Sequence, residues 1–144
     1  MSDEEPKTPT NIDEFNQVAG IIFGELYRRF PIAWDVQMER ITDRMGLPNV
    51  HAGLESGFQA KAMVIFTLRW LRDEGLIRSS TNMALNDVVL TMKGRELLAK
   101  PIFNGEDAGT KLADPNASRS SIATIVGDLI GSATGALIKS VSGG

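Results

Sequence analysis

Apolar residues recur along the first third of the chain with the period of a helix. Phe15, Val18, Ala19, Ile22, Leu26 and Phe30 are spaced by three and four, which predicts one buried helical face. Asn11 and, three residues on, Glu14 form a capping-box pattern, and Pro31 stops the helix. Ile32, Ala33 and Trp34 read as a short extended piece. Asp35 is placed to cap a second helix, from about Val36 to Met45, with Gly46 in the left-handed position after it and Pro48 blocking continuation. Residues 46–57 read as a loop. From Phe58 to Leu71 the chain is apolar on almost every side, the pattern of a helix buried on almost every side. Ser56 and Gln59 make a second capping-box pattern at its start, and Gly75 ends it.

Two short β runs follow, Leu76-Ile77-Arg78 and Asp87-Val88-Val89-Leu90, around a polar tip, which predicts a hairpin. Thr91 can cap a last helix that Pro101 stops. The predicted order is helix, helix, helix, hairpin, helix, a mainly α fold with a small β-hairpin wing. Residues 1–10 read as a disordered acidic tail, 11–101 as one domain, 102–117 as a Gly/Asp/Asn/Pro linker, and 118–142 as a separate amphipathic, glycine-rich helix.

Two stretches carry a family signature. LRWLRDEGLIR precedes the polar tip and VVLTMKGREL follows it. Together they resemble winged helix-turn-helix repressors of the MarR and PadR type, through Leu71, Gly75, Leu76, Ile77, Leu90, Thr91 and Gly94. The match covers about residues 60–100. The whole chain, with FGELYRRFPI and the Gly/Ala-rich tail, is also similar to uncharacterised bacterial winged-helix proteins. The resemblance implies a winged helix that binds DNA as a small transcriptional regulator.

Charge pulls against that implication. Residues 12–100 hold eleven Lys and Arg and eleven Asp and Glu, and the whole chain carries a net charge of −3. DNA binding needs cations for phosphates and donors for base edges. Lys61, Arg69 and Arg72 fall within a sector of ~80° on the third helix, at 100° per residue. Ser56 and Gln59 stand at its start, and Arg78 begins the hairpin tip with Ser79, Ser80, Thr81 and Asn82. Asp73, Glu74 and Glu55 are close by, so the two cations Arg69 and Arg72 also fit a plain solvated helix face. Arg28 and Arg29 suit a helix C-terminus, where cations are favoured. Trp34, Trp70 and Phe58 read as core.

Nothing marks an enzyme, a cofactor or a metal. The chain has no cysteine and one histidine, His51, in the predicted loop without an acid or nucleophile partner. No phosphate-binding glycine loop is present. The acidic N-terminus lacks the basic and apolar regions of a signal peptide, which predicts a cytoplasmic protein.

The tail has its own pattern. Ala123, Gly127, Gly131 and Gly135 are spaced by four, a small-residue series that lets two helices approach closely. An apolar stripe runs beside it through Ile122, Ile125, Val126, Leu129, Ile130, Ala133, Leu137 and Val141. Three arrangements satisfy this pattern: pairing with a second copy in a homo-oligomer, attachment to a membrane surface, or packing on the chain's own domain. The second class of function is therefore an adaptor, in which the domain binds a protein partner and the tail self-associates or meets a membrane.

Overall fold

The computed structural model describes residues 11–46, 54–80, 85–102 and 105–142, with side-chain surroundings given outside 54–59 and 132–142. Among the described residues six helices and two strands follow in the order α1 (Asn11–Arg29), α2 (Met38–Arg44), α3 (Leu54–Asp73), β1 (Ile77–Arg78), β2 (Val89–Leu90), α4 (Met92–Leu98), α5 (Ala108–Ala113) and α6 (Arg119–Ser142). The protein is mainly helical, with one small antiparallel sheet in which Ile77 pairs with Leu90 and Arg78 with Val89. Trp34 extends that sheet by an isolated antiparallel bridge to Val88, with N–H···O bonds of 2.8 and 2.9 Å in the two directions. The short extended piece read before α2 therefore has a partner.

The central helix is α1, not α3. Val18, Ala19, Gly20, Ile21, Ile22, Phe23, Gly24 and Leu26 are all buried. Ile22 and Gly20 lie on opposite sides of the helix, ~160° apart at 100° per residue. The first of these sides is the apolar stripe legible in the sequence. The second meets α5 and α6. A Cβ on Gly20 would lie 2.2 Å from a methyl of Ile122, and one on Gly24 would lie 2.3 Å from the Leu112 carbonyl oxygen. Glycine is required at both positions because neighbouring backbone and side chains occupy the space a Cβ would take.

This packing corrects two expectations. Residues 102–117 are not a plain linker, and the glycine-rich helix is not separate. Asp107 caps α5, its carboxylate accepting from Thr110 N–H at 3.0 Å and from the Tyr27 hydroxyl at 2.6 Å. Leu112 is fully buried, and Ile122, Ile125, Val126 and Leu129 of α6 belong to the same core as α1, Trp34, Leu71 and Leu98. Their physical driving force is the second apolar side of α1, which residues 11–101 alone leave uncovered.

The turn chemistry explains the GLI and LTxxG signatures. Gly75 has φ +77°, the left-handed region where glycine is favoured. Thr91 Oγ1 donates to the Gly75 carbonyl at 2.6 Å and accepts from Gly94 N–H at 3.0 Å, while Thr91 N–H donates to the Leu76 carbonyl at 3.1 Å. A Cβ on Gly94 would sit 2.1 Å from the Leu76 oxygen, so α4 packs directly on the backbone that ends α3. Asp35 does not cap α2. Gln37 holds that position without a side-chain bond, and Asp35 instead accepts from Asp87 N–H at 2.9 Å, tying the second strand to the approach to α2.

Candidate nucleic-acid interface

Helix α3 packs on the core through Ala60, Val64, Leu68 and Leu71. Thr67 is buried beside them without penalty, because its hydroxyl donates to the Met63 carbonyl at 2.7 Å. Met63 packs partly against the same core, while Lys61, Phe66, Arg69 and Trp70 face outward. Lys61 and Arg69 are exposed, Arg72 is partly exposed, and Arg78 is exposed on β1 immediately after the helix. The guanidinium of Arg69 stands 6.0 Å from the centre of the Phe66 ring, and Arg72 Nε lies 3.8 Å from Asp73 Oδ1. Lys61 and Arg72 are separated by ~16 Å along the axis at 1.5 Å per residue. Ser56 and Gln59 belong to the first turns of α3, and their side chains lie outside the described residues. His51 and the tip residues Thr81 and Asn82 also lie outside them.

A feature the sequence reading missed lies next to this cationic sector. Phe66 is 61% exposed and Trp70 38% exposed, and the Phe15 ring meets Trp70 edge-on at 5.0 Å. Ile12, 71% exposed, is also carried on the first turn of α1. Trp70 was expected in the core. It stays outside because α1 occupies the centre and only one face of α3 has somewhere to go. Trp34, by contrast, is buried, with the Arg29 guanidinium 5.4 Å from its ring centre.

Arg28 and Arg29 are engaged locally. Glu25 accepts from Arg28 Nη2 at 2.6 Å and from Arg29 Nε at 3.1 Å, and Arg40 Nη2 comes within 3.7 Å. Burial alone would raise the Glu25 pKa, but the hydrogen bonds and charges of Arg29 and Arg28 outweigh it and hold the carboxyl below its ordinary value. Arg44 Nη2 donates to the Asp114 carbonyl at 3.1 Å, and Arg119 donates to the Met45 carbonyl. These bonds join the end of α2 to the connection between α5 and α6.

The small-residue series of α6 is only partly occupied. Ala123 and Gly127 are half-buried, and a Cβ on Gly127 would make an ordinary 3.5 Å contact with Asn16. Gly131 is exposed with nothing within 4 Å of a built Cβ, and the surroundings of Gly135 lie outside the described residues. The apolar stripe beside the series, rather than the glycines, holds α6 to α1. Among the described residues no helix is long and apolar enough to cross a membrane, and no group of three or more acidic or histidine side chains could hold a metal ion. The chain matches no family model, no curated protein and no solved structure.

Proposed function

We propose that residues 11–101 are a winged helix-turn-helix unit, completed by α5 and α6, which binds DNA as a small non-enzymatic transcriptional regulator and acts as an oligomer. One observation carries this reading. The order helix, bridging residue, helix, helix, hairpin puts Trp34 against Val88 beside a two-stranded hairpin, and leaves a face of α3 with Lys61, Arg69 and Arg72 outward next to Arg78. In a winged helix the equivalent helix enters the major groove and the hairpin reaches the adjacent backbone. Ser56 and Gln59, at the start of α3, are the candidates for base edges. Gly131, open on the outside of α6, is the candidate for contact with a second copy.

The test is fluorescence anisotropy of a mixed-sequence duplex with the full chain at low and moderate salt. The reading expects binding that weakens steeply with salt, and weakens further in Lys61→Glu and Arg78→Glu. Absence of binding at low salt refutes it. Light scattering tests the oligomer: Gly131→Ile lowers the mass if α6 pairs closely, and an unchanged mass removes that part.

A second reading rests on the exposed aromatic strip. Phe66 and Trp70, with Phe15 and Ile12, favour an adaptor whose α3 docks on a protein partner, since exposed aromatics mark interaction surfaces. It predicts that Phe66→Lys leaves any DNA affinity intact and abolishes partner capture. The same strip and the outer side of α6 are the surfaces a membrane attachment would use. Flotation of the full chain with liposomes tests it, and protein that stays in the bottom fraction refutes it.

A further inference from the structure

A cavity of about 310 Å³ opens between the C-terminal half of α1, α2 and the α5–α6 connection. Its size falls at the lower end of the range for small-molecule sites, ~300–1,000 Å³. The lining is divided by chemistry. Ile21, Trp34 and Ile41 supply apolar surface, and all three are buried side chains of the core. Arg28, Arg40 and Arg44 supply three guanidiniums around it, against one carboxylate, Glu25.

The charges do not balance. Glu25 already serves Arg28 and Arg29 by direct hydrogen bonds, and reaches Arg40 only at 3.7 Å. Arg44 is held by a neutral carbonyl, that of Asp114. The Asp114 carboxylate itself turns to its own loop, where it accepts from Asn116 N–H at 2.9 Å. Three arginines therefore share one acid, and a fourth, Arg44, meets only a neutral carbonyl. Arg40 keeps 54% of its side chain exposed and Arg28 53%, so the shared contact with Glu25 leaves both accessible to a ligand. Guanidinium forks match carboxylate and phosphate oxygens two at a time. A bare anion would use the arginines and leave the apolar floor wet. A neutral apolar molecule would use the floor and leave the arginines unanswered.

We propose that this cavity binds a small organic anion, with its phosphate or carboxylate on Arg40 and Arg44 beside Arg28 and its apolar, ring-sized body on Ile21, Trp34 and Ile41. Glu39 and Asp43, the acidic residues of α2, do not line it. It is independent of DNA binding: the cavity has its full lining in a single chain, and its occupancy is measured without DNA.

The experiment titrates the full chain with phenylphosphate, and separately with inorganic phosphate, by calorimetry and by amide and indole NMR. Phenylphosphate is expected to bind one to one and to shift the Trp34 indole N–H, with inorganic phosphate at least several-fold weaker. Loss of one charge-assisted contact in Arg40→Ala or Arg44→Ala should weaken binding about tenfold. Lys100→Ala, remote and exposed, should leave it unchanged. The Arg40 side chain approaches Glu25 at 3.7 Å, and the 3.1 Å bond to the Gln37 carbonyl comes from its backbone N–H, which alanine keeps, so Arg40→Ala is expected to fold, and its melting curve checks that. The proposal is overturned by the absence of saturable binding at millimolar concentration, by equal affinity for inorganic phosphate, by indifference to both arginine variants, or by shifts at Trp70 in place of Trp34.

Discussion

Replacing Gly24 by alanine tests the central packing of the fold. Two opposed effects follow from the structure. Alanine is the better helix former, a gain of about 1 kcal/mol in a helix interior. The new methyl, however, would stand 2.3 Å from the Leu112 carbonyl oxygen and 2.7 Å from its carbon. Both atoms are backbone, so no rotamer change relieves the contact. Helix α5 would have to move away by about 1 Å to reach ordinary van der Waals distance. That movement drags on fully buried Leu112 and on the Tyr27–Asp107 hydrogen bond. Overpacking of this kind costs about 1–3 kcal/mol, and a backbone collision belongs at the upper end. The net expectation is a loss of about 1–2 kcal/mol. For a chain of this size that lowers Tm by roughly 3–10 °C. Thermal melts followed by circular dichroism measure it. Gly131→Ala is the matched control within one chain, since its Cβ meets nothing within 4 Å, and it is melted at concentrations where light scattering shows a monomer so that contact with a second copy does not enter. A Gly24→Ala variant as stable as the parent refutes the close approach of α1 and α5.

Three further outcomes follow from the same contacts. Thr91→Ala removes both the cap on Gly94 N–H and the donor to the Gly75 carbonyl, and should cost about 1–2 kcal/mol in chemical denaturation. A fragment ending at residue 104 should fail to fold, because it loses Leu112, Ile122, Ile125, Val126 and Leu129, together on the order of 10 kcal/mol of apolar burial against a total stability of ~5–15 kcal/mol; a cooperative melt of that fragment would contradict the single core. Stability should also fall at both ends of the pH range through Tyr27 and Asp107. The bonds from Thr110 and Tyr27 lower the Asp107 pKa, so its contribution is present above the unfolded carboxyl value of ~3.9 and disappears as pH falls through the lower folded value. The bond to Asp107 raises the Tyr27 pKa, so that contribution is present below ~10 and disappears as pH rises through the higher folded value. Tyr27→Phe should flatten the alkaline decline in urea midpoints, and an unchanged alkaline limb argues against the bond.

The helices before residue 100 and the hairpin were legible because each combines a period with a stop: Pro31, Gly46, Gly75 and Thr91 all stand where the structure uses them. Burial was harder to read, and the errors share a cause. Hydropathy scores Phe66 and Trp70 as core, although they are exposed, because it records what a side chain prefers and not whether a neighbour arrives. It scores Gly20 and Gly24 as neutral, so the second packing face of α1 was invisible, though the pair has the same spacing of four that drew attention to Gly127 and Gly131 in α6. The polar run from 102 to 117 concealed α5 because Ala108, Gly109 and Leu112 are few and small; Gly109 is buried under the Tyr27 ring, where a Cβ would come within 2.5 Å. The cavity arginines lie on α1 and α2, and only the fold brings Arg40 and Arg44 of α2 to the same cavity as Arg28 and Glu25 of α1.

The central position of α1 also sets a schedule. The helix is buried on both sides, yet one of those sides waits for Leu112, Ile122 and Val126, ~90–100 residues later in the chain. At ~5–20 residues per second of synthesis, that is roughly 5–20 s during which a nascent helix carries an uncovered apolar face. During that interval Gly20 and Gly24 offer a close-fitting groove to whatever helix comes first, including one from a neighbouring ribosome. The last quarter of the chain thus decides when the first helix becomes safe from the wrong partner.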